Sequence, residues 1–265
     1  MTPCVSIITI TMNHLGYITE MMNSLFTTAR PTVSFEMIIV DNCSTDGTVD
    51  FLRSHYPNVK IVQNKEIYGF AQNNNIGARE ATGEYIFILN PDVIVKPKAI
   101  DRLYYYAKEH PDCGVLAPRL LNMDGSAQYS ARNFLSIQIL FNRFLTMGND
   151  QSNNKKVVSY LMKDLPLDKP SDVDWCMGAA LMISREFYDE LEGFDDNYFL
   201  YIEDMDICYR TWHKGKKVTF LPTAVFLHAH KRESRYVNKK TWIHLKSFLY
   251  FLKKNRFRRI CRPDL

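Results

Sequence analysis

The sequence of 265 residues has few features of a secreted, membrane-spanning or disulfide-bonded protein. Its six cysteines form no C-x-x-C pair, and most lie among apolar residues, where a reduced thiol packs as a small hydrophobic side chain. No apolar run approaches the ~20 residues of a transmembrane helix. The N-terminus lacks the basic and apolar regions of a signal peptide. We therefore expect a cytoplasmic protein that does not span a membrane.

Common nucleotide-binding and phosphatase motifs are also missing. No G-x-G-x-x-G follows the first apolar strand pattern, which disfavours a dinucleotide redox site, and no Walker lysine loop is present. Asp41 follows a strand pattern as an aspartyl nucleophile does, but Cys43 stands where such phosphatases need a second acid. A nucleotidyltransferase is disfavoured because the chain has no early basic, glycine-rich loop.

Net positive charge is confined to the C-terminal segment. The chain has a formal charge of +4, but residues 239–262 hold nine lysines and arginines and no acid, so the remainder is net negative. A uniformly basic surface would favour nucleic acid, whereas a basic tail on an acidic body favours an anionic surface. We predict no nucleic-acid partner and a peripheral position at the inner face of the cell membrane.

The first half alternates short apolar runs with amphipathic segments, which predicts an α/β fold with a mostly parallel central sheet. The predicted strands are residues 5–10, 37–40, 59–62 and 85–89, and the helices are residues 15–28, 48–55, 71–81 and 97–110. The second half predicts strands at 173–184 and 218–227, a helix at 203–214 and a long polar loop at 148–170. An Asp-Gly pair at 124–125 indicates a hairpin. The chain shows no internal repeat and no linker composition.

Polar residues follow each of the first four predicted strands. They are Thr11 and Asn13, then the turn that begins at Asp41, then Asn64, and finally Asn90-Pro91-Asp92. Any single turn is commonly polar. In an open α/β sheet, however, ligands bind at the carboxyl ends of the strands, so four polar ends together predict a binding site at this edge.

These strand ends carry a family resemblance. Residues 5–13, the turn 40–48 and Leu89-Asn90-Pro91-Asp92-Val93 resemble the family 2 glycosyltransferases of GT-A fold. Several later motifs resemble the bacterial rhamnosyltransferase branch: Gly69-Phe70-Ala71, Asp174-Trp175, Gly178-Ala179, Gly193-Phe194-Asp195, residues 199–206 with Arg210, and His228 with Arg232 and Ser234. The resemblance covers roughly residues 4–250. It implies a GT-A domain at 1–236, with a nucleotide-sugar-binding half (1–118), an acceptor half (119–236), and a basic amphipathic helix and tail at 237–265.

The resemblance implies a divalent cation, Mn²⁺ or Mg²⁺, that neutralises the leaving diphosphate. Asp92 matches the last acid of the family's D-x-D motif, and His228 matches a metal or diphosphate ligand. Arg232 and Ser234 supply guanidinium and hydroxyl groups suited to a diphosphate. Asn90 departs from the Asp of many relatives, which leaves one carboxylate fewer for the metal.

A UDP- or dTDP-sugar donor is implied, because a carboxylate at Asp41 accepts a hydrogen bond from the imide N–H of uracil or thymine. Arg79 either approaches the diphosphate or is a solvated helix charge. The nucleotide-sugar-binding residues that the resemblance implies are Thr11, Asn13, Asp41, Asn64, Gly69, Arg79, Asn90, Asp92, Arg232 and Ser234.

Asp204 matches the general base of direct, inverting displacement, which must accept the proton of the acceptor hydroxyl. Glu203, Trp175 and Gly178 are predicted to contact the acceptor, with core packing as the alternative for Trp175. Asp206 and Arg210 are four residues apart, which predicts an ion pair within the helix.

The C-terminal segment places Trp242, Leu245, Phe248, Leu249 and Leu252 at helical spacing beside basic residues. Such a helix rests on an anionic membrane or packs on the catalytic core. The leading hypothesis is a transferase that moves a sugar, with rhamnose from dTDP-rhamnose as one candidate, to a lipid-linked or cell-surface glycan. The alternative is an inert, nucleotide-binding scaffold, which the missing acid at Asn90 suggests. The presence of Asp92, Asp204 and His228 together favours the enzyme.

Overall fold

The computed structural model describes residues 2–146, 148–229, 239–256 and 260–263. The strands are β1 (Val5–Thr11), β2 (Phe35–Asp41), β3 (Lys60–Gln63), β4 (Tyr85–Leu89), β5 (Val93–Val95), β6 (Cys113–Leu121), β7 (Ala127–Gln128), β8 (Ala131–Arg132), β9 (Ser171–Asp172), β10 (Trp175–Cys176), β11 (Ala180–Ser184) and β12 (Lys217–His228). The helices are α1 (Leu15–Asn23), followed by a π-helical turn (Ser24–Thr28), α2 (Thr48–His55), α3 (Phe70–Glu80), α4 (Ala99–Glu109), α5 (Ile137–Leu145), α6 (Lys155–Tyr160), α7 (Arg185–Glu190), α8 (Glu203–His213) and α9 (Lys239–Lys254).

One twisted sheet runs through both halves of the chain. Its order is β3-β2-β1-β4-β11-β6-β12-β5, with β7 beside β6 and β9 beside β12, while β8 and β10 form a separate two-stranded ribbon. The first four strands of this order are parallel, as predicted. The rest is mixed, because β11 runs antiparallel to both β4 and β6 and β5 runs antiparallel to β12. The parallel arrangement therefore brings the carboxyl ends of β1, β2 and β4 to one edge.

Hydrophobic side chains cover both faces of the sheet, as the continuous apolar strands require. Alternate residues of one strand enter different clusters: Ile7 packs with α1 and α4, whereas Ile8 packs with α3, α7 and α8. The sheet is therefore the middle layer, and the polar ends of its strands remain available at the edge.

The structure corrects the predicted polar loop at 148–170. Residues Lys155–Tyr160 form α6, because the Asn154 side chain accepts hydrogen bonds from the N–H groups of Lys156 and Val157 at the N-terminus of the helix. Val157 and Tyr160 are buried on its inner side. Helix α5 precedes this segment and was not predicted. The predicted strand 173–184 divides into β10 and β11, whereas the hairpin at Gly125 is confirmed by the pairing of β6 with β7.

Helix α9 has two apolar faces. Phe248 and Phe251 are buried in the core, whereas Trp242, Leu245 and Leu249 are exposed on the opposite side. The single apolar stripe predicted from the sequence is thus divided between two sides of the helix. No helix within the described ranges is long and apolar enough to cross a bilayer.

Basic residues of the C-terminal segment also form ion pairs with acidic residues of the rest of the protein. Lys254 lies 2.8 Å from Asp206 and 2.7 Å from Asp195, and Arg262 forms an ion pair with Asp174. These contacts attach the end of α9 and the segment after it to the body of the protein.

Candidate active site

Two buried oxygens meet at the carboxyl ends of β1 and β2. Thr11 pairs in register with Asp41, and the N–H of Asn42 donates to the carbonyl of Thr11 at 2.8 Å. The N–H of Ser44 donates to Asp41 Oδ2 at 3.2 Å. Asp41 Oδ1 and Thr11 Oγ1 are buried and have no hydrogen-bond partner within the described residues. Since buried polar atoms are normally paired, these two unpaired oxygens mark this edge as a candidate binding site.

The loops that flank these oxygens are held by side-chain hydrogen bonds. Asn13, with a positive φ of 56°, accepts a 2.7 Å hydrogen bond from the N–H of Thr45. Asn64 donates to the side-chain oxygens of Asn42 and Asn73 at 3.0 and 2.6 Å. The structure therefore gives Asn13 and Asn64 a bracing role around the Asp41 turn.

Asp92 and His228 lie together although 136 positions separate them in the chain. Strand β5 begins directly after Asp92 and runs antiparallel to β12, which pairs Val93 with His228. The N–H of Ala229 donates to the carbonyl of Asp92 at 2.9 Å. His228 Nε2 is consequently 3.4 Å from Asp92 Oδ1. Asn90 lies at the same turn, where its N–H donates to the carbonyl of Ala179.

Gln128 orients the His228 ring and was not identified from the sequence. Its Nε2 donates to Asn122 Oδ1 at 2.9 Å, which turns its Oε1 toward His228 Nδ1 at 2.6 Å. Because Oε1 only accepts, Nδ1 carries the hydrogen and donates it. The ring, which is 3% exposed, therefore directs Nε2 toward Asp92. An isolated glutamine in a two-residue strand carries no sequence signal for this role.

The Asp92 and His228 donors fit a divalent cation that binds substrate phosphates. No group of three or more His, Cys, Asp or Glu side chains with metal-binding geometry occurs in the described part of the chain. Mg²⁺ and Mn²⁺ commonly take one or two protein ligands and complete their shell with phosphate oxygens and water. One carboxylate oxygen beside an imidazole nitrogen supplies donor atoms of the kind that these ions accept.

Asp204 is held at the N-terminus of α8 by two backbone amides. Gly178 N–H donates to Oδ2 and Met205 N–H donates to Oδ1, each at 2.9 Å. A Cβ at Gly178 would lie 3.2 Å from the Asp204 Cβ, so a larger residue at this position would crowd the carboxylate. Burial raises the pKa of Asp204, while these amide hydrogen bonds and the charge of Arg132 oppose the rise. The carboxylate is thus both fixed in position and more basic than an exposed aspartate.

The loop before α8 is strained. Tyr201 and Ile202 both have positive φ values, 68° and 73°, which are unfavourable for non-glycine residues and most so for a β-branched one. Two contacts hold the loop: Phe70 N–H donates to the Phe199 carbonyl, and the Ser247 hydroxyl donates to the Leu200 carbonyl. Helices α3 and α9 together therefore set the position of Asp204.

Glu203 is 5% exposed, and its Oε2 has no hydrogen-bond partner within the described ranges. Burial, followed by the charge of Asp204, raises the pKa of Glu203 well above its usual value. A protonated carboxyl group beside an ionised one can donate a hydrogen bond to a ligand hydroxyl. Asp206, by contrast, forms the predicted ion pair with Arg210, at 2.7 Å.

Gly69 lies at the predicted edge, since the N–H of the preceding Tyr68 donates to Asn42 Oδ1 at 2.9 Å, whereas Arg79 does not lie there. A Cβ at Gly69 would be 2.6 Å from the backbone of Phe199, so the space beside Gly69 is filled by protein. Arg79 is in the last turn of α3 and lines a surface cavity with Arg185. Ser184, the neighbour of Arg185, pairs with Tyr85 at the start of β4, so this cavity faces the opposite edge of the sheet. The structure thus favours the solvated-charge alternative for Arg79.

Trp175 is 5% exposed, and its indole N–H donates to the carbonyl of Asn133 at 2.9 Å. The Arg132 guanidinium lies 5.2 Å from the centre of its ring. These contacts favour the packing alternative for Trp175, as a wall behind Arg132. The predicted diphosphate ligands Arg232 and Ser234 lie outside the described residues, so their roles stay predictions.

Comparisons with known proteins agree with this geometry. The sequence profile described as "Glycosyl transferase family 2" matches residues 6–163, and the profile "N-terminal domain of galactosyltransferase" matches residues 165–232. The N-acetylglucosaminyl-diphospho-decaprenol L-rhamnosyltransferase of Mycobacterium tuberculosis is 31% identical, over 88% of this chain and 78% of that protein. Rhamnosyltransferase WbbL of Escherichia coli is 27% identical, over 95% of this chain and 94% of its own length. The crystal structure of GalNAc-T7 with UDP, GalNAc and Mn²⁺ superposes with a TM-score of 0.70 at 17% identity, covering 95% of this chain and 48% of that one.

Proposed function

The chain belongs to glycosyl transferase family 2 and has the GT-A fold, and from this premise we propose that it transfers a hexose with inversion from a nucleoside diphosphate to a lipid-linked or cell-surface glycan. L-Rhamnose from dTDP-rhamnose is the first donor to test, because the mycobacterial and E. coli relatives are both named as rhamnosyltransferases. The observation that carries the proposal is the pairing of Asp92 with His228 at the strand edge that also presents Asp41.

The nucleotide base binds at the ends of β1 and β2 in this proposal. Asp41 Oδ1, buried and without a partner among the described residues, accepts the imide N–H of thymine or uracil. A ligand N–H that satisfies this oxygen removes the cost of an unpaired buried acceptor. Cytosine has no imide N–H at the equivalent position, so the pocket selects dTDP- or UDP-sugars.

The donor diphosphate binds beside Asp92 and His228. A divalent cation held by these two residues would neutralise the charge that the diphosphate gains as its bond to the sugar breaks. Gln128 keeps the hydrogen on His228 Nδ1 and directs Nε2 toward Asp92. Arg232 and Ser234 are proposed to contact the same diphosphate.

Asp204 acts as the general base. The acceptor hydroxyl oxygen forms a bond to the anomeric carbon as the bond from that carbon to the diphosphate oxygen breaks. The hydroxyl proton passes to Asp204, and the nucleoside diphosphate leaves with the electron pair. Burial favours this proton transfer because it raises the pKa of Asp204. Glu203, protonated in its buried position, orients the acceptor through a hydrogen bond to a sugar hydroxyl.

Helix α9 is the proposed membrane contact. Its outer face exposes Trp242 by 67%, Leu245 by 46% and Leu249 by 52% of their surface. Lys246 and Lys253 lie beside these residues and are exposed. An apolar face flanked by basic residues suits the interface of an anionic bilayer. A lipid-linked acceptor would place the enzyme at the inner face of the cell membrane.

A panel of nucleotide sugars tests the donor assignment. Thermal stabilisation and hydrolysis are measured for dTDP-rhamnose, UDP-glucose, UDP-N-acetylglucosamine and a CDP-linked control, each with and without Mn²⁺. We expect Mn²⁺-dependent stabilisation by the thymidine or uridine compounds and none by the cytidine compound. Equal responses to all bases would refute the role of Asp41, and nucleotide binding without turnover of any sugar, with acceptor present, would favour the scaffold alternative.

A further inference from the structure

Arg132 occupies an unusual position on the acceptor side of Asp204. Its guanidinium lies 5.2 Å from the centre of the Trp175 ring and 5.7 Å from that of Tyr160. Its hydrogen bonds go to the carbonyl of Tyr129, the hydroxyl of Tyr160 and the sulfur of Met177, at 3.2, 3.4 and 3.5 Å. All three acceptors are uncharged, and the contact with the Tyr160 hydroxyl is long.

Arg132 forms no direct ion pair with a carboxylate of the residues that the structure describes, and the charges of Asp150 and Asp204 act on its guanidinium from farther away. Arg143, on the neighbouring helix α5, differs because its guanidinium lies 2.7 Å from the buried carboxylate of Asp150. A partly buried guanidinium without a direct carboxylate contact gains from an anion that completes its contacts. Arg132 therefore has the environment of an anion-binding residue.

Arg132 and Asp204 contact adjacent residues of the chain, which places Arg132 beside the general base. Met177 accepts one of its hydrogen bonds, and the next residue, Gly178, donates to Asp204. Ser130 precedes Arg132 by two positions; its hydroxyl oxygen is buried and has no hydrogen-bond partner within the described ranges. The site thus has a guanidinium that interacts with Asp204 through its charge but forms no direct ion pair, and a hydroxyl that forms no hydrogen bond within the described residues.

Helix α9 covers this site. His244 packs against the Tyr201 ring, with ring centres 5.0 Å apart, on the same side of α9 as Phe248 and Phe251. Burial and the charge of Arg132 lower the pKa of His244 to about 4. The imidazole is therefore neutral at pH 7 and has one N–H to donate. Its neighbour in the chain, Leu245, lies on the exposed apolar face of the helix.

We propose that Arg132, with Ser130 and His244, binds the phosphoryl group that joins the acceptor sugar to its lipid. This inference rests on the proposed function and identifies the chemical class of the acceptor. Guanidinium groups form paired, charge-assisted hydrogen bonds with phosphate oxygens. The acceptor in the name of the mycobacterial relative carries a diphosphate next to its sugar. The lipid chain attached to a phosphoryl group at this position would extend out of the site beside the exposed apolar face of α9.

The test compares two acceptors that differ only in phosphate. One is N-acetylglucosaminyl diphosphate on a short alkyl chain, and the other is the alkyl N-acetylglucosaminide without phosphate, both with dTDP-rhamnose as donor. The measured quantity is the ratio of kcat/KM for the phosphorylated acceptor to kcat/KM for the neutral one. Taking the ratio within each enzyme cancels changes in folding, donor binding or the basicity of Asp204.

We expect wild type to prefer the phosphorylated acceptor and Arg132→Gln to reduce the ratio by roughly 10- to 100-fold, as for the loss of a charge-assisted hydrogen bond. Arg132→Lys keeps the charge and should recover part of the ratio. Arg143→Gln is the matched control, since it removes a guanidinium that Asp150 already neutralises, and it should leave the ratio unchanged. An unchanged ratio in Arg132→Gln would overturn the proposal.

Calorimetric titration of both acceptors in the presence of dTDP separates this proposal from the proposed function. Preferential binding of the phosphorylated acceptor that Arg132→Gln removes supports the phosphate site, even in the absence of transfer. Absence of transfer counts against the enzyme assignment alone. Equal affinity for both acceptors, or no affinity for either, overturns the phosphate site. Transfer to both acceptors at equal efficiency also overturns the phosphate site, but it leaves the transferase assignment intact.

Discussion

Replacing Gln128 by Leu tests the His228 site without changing a proposed ligand. The substitution removes the oxygen that accepts the 2.6 Å hydrogen bond from His228 Nδ1. The ring is buried, so no water replaces that acceptor easily, and the hydrogen is no longer fixed on Nδ1. Leaving the donor of such a buried hydrogen bond without an acceptor costs about 1–3 kcal/mol. We therefore expect Mn²⁺ affinity, measured with dTDP bound, to fall roughly 10- to 100-fold.

Isothermal titration of dTDP at a series of Mn²⁺ concentrations provides the measurement. Gln128→Glu is the matched control, because a carboxylate oxygen keeps an acceptor for Nδ1, and its Mn²⁺ affinity should equal or exceed that of wild type. Binding without Mn²⁺ should be similar in all three proteins. A Gln128→Leu variant with wild-type Mn²⁺ dependence would show that this hydrogen bond does not set the metal site.

Four further substitutions test other parts of the site. Asp204→Asn should lower kcat by roughly 10²- to 10⁴-fold, since it removes the general base, while calorimetry should show nearly unchanged dTDP affinity; near-wild-type turnover would exclude Asp204 as the base. Asp92→Ala should weaken dTDP binding about 10-fold or more when Mn²⁺ is present, and an unchanged affinity would remove Asp92 from the diphosphate site. Glu203→Gln should stabilise the protein to urea increasingly as pH rises above the unfolded pKa of about 4.3. The reason is that burial raises the folded pKa of Glu203, so wild type loses stability with rising pH, whereas the amide of the variant does not titrate. A stability difference between the two proteins that stays constant with pH, or changes in the opposite direction, would contradict the raised pKa. The double change Leu245→Ser and Leu249→Ser should abolish sedimentation with liposomes that contain acidic lipid while leaving dTDP affinity intact, and equal, negligible sedimentation of wild type with neutral and acidic liposomes would contradict a membrane role.

The sequence predicts the local elements of the first half well because each one has a short-range signal. Apolar runs define β1, β2 and β4, and the polar residue after each run marks the carboxyl edge. The resemblance to a known family then identifies Asp92, His228 and Asp204 as a set. That these residues share one edge is a property of topology, since Asp92 meets His228 only through the antiparallel pairing of β5 with β12.

Other features depend on tertiary contacts that carry no periodic signal. Gln128 and Arg132 lie in two-residue strands, and their roles arise from what packs against them. Helix α6 was predicted as loop because its exposed residues are polar, although Val157 and Tyr160 anchor it in the core. The apolar stripe of α9 could not be assigned to core or membrane from spacing alone, and the structure shows that Phe248 and Leu249, adjacent in sequence, face opposite environments.

The stereochemistry of the product tests the central claim most directly. The protein is incubated with Mn²⁺, dTDP-rhamnose of known anomeric configuration and the N-acetylglucosaminyl diphosphate acceptor, and the new glycosidic linkage is determined by NMR. A single displacement with Asp204 as base predicts transfer with the opposite anomeric configuration to that of the donor, and loss of the product in Asp204→Asn. A product that retains the donor configuration, or one that forms equally well in Asp204→Asn, would contradict this account.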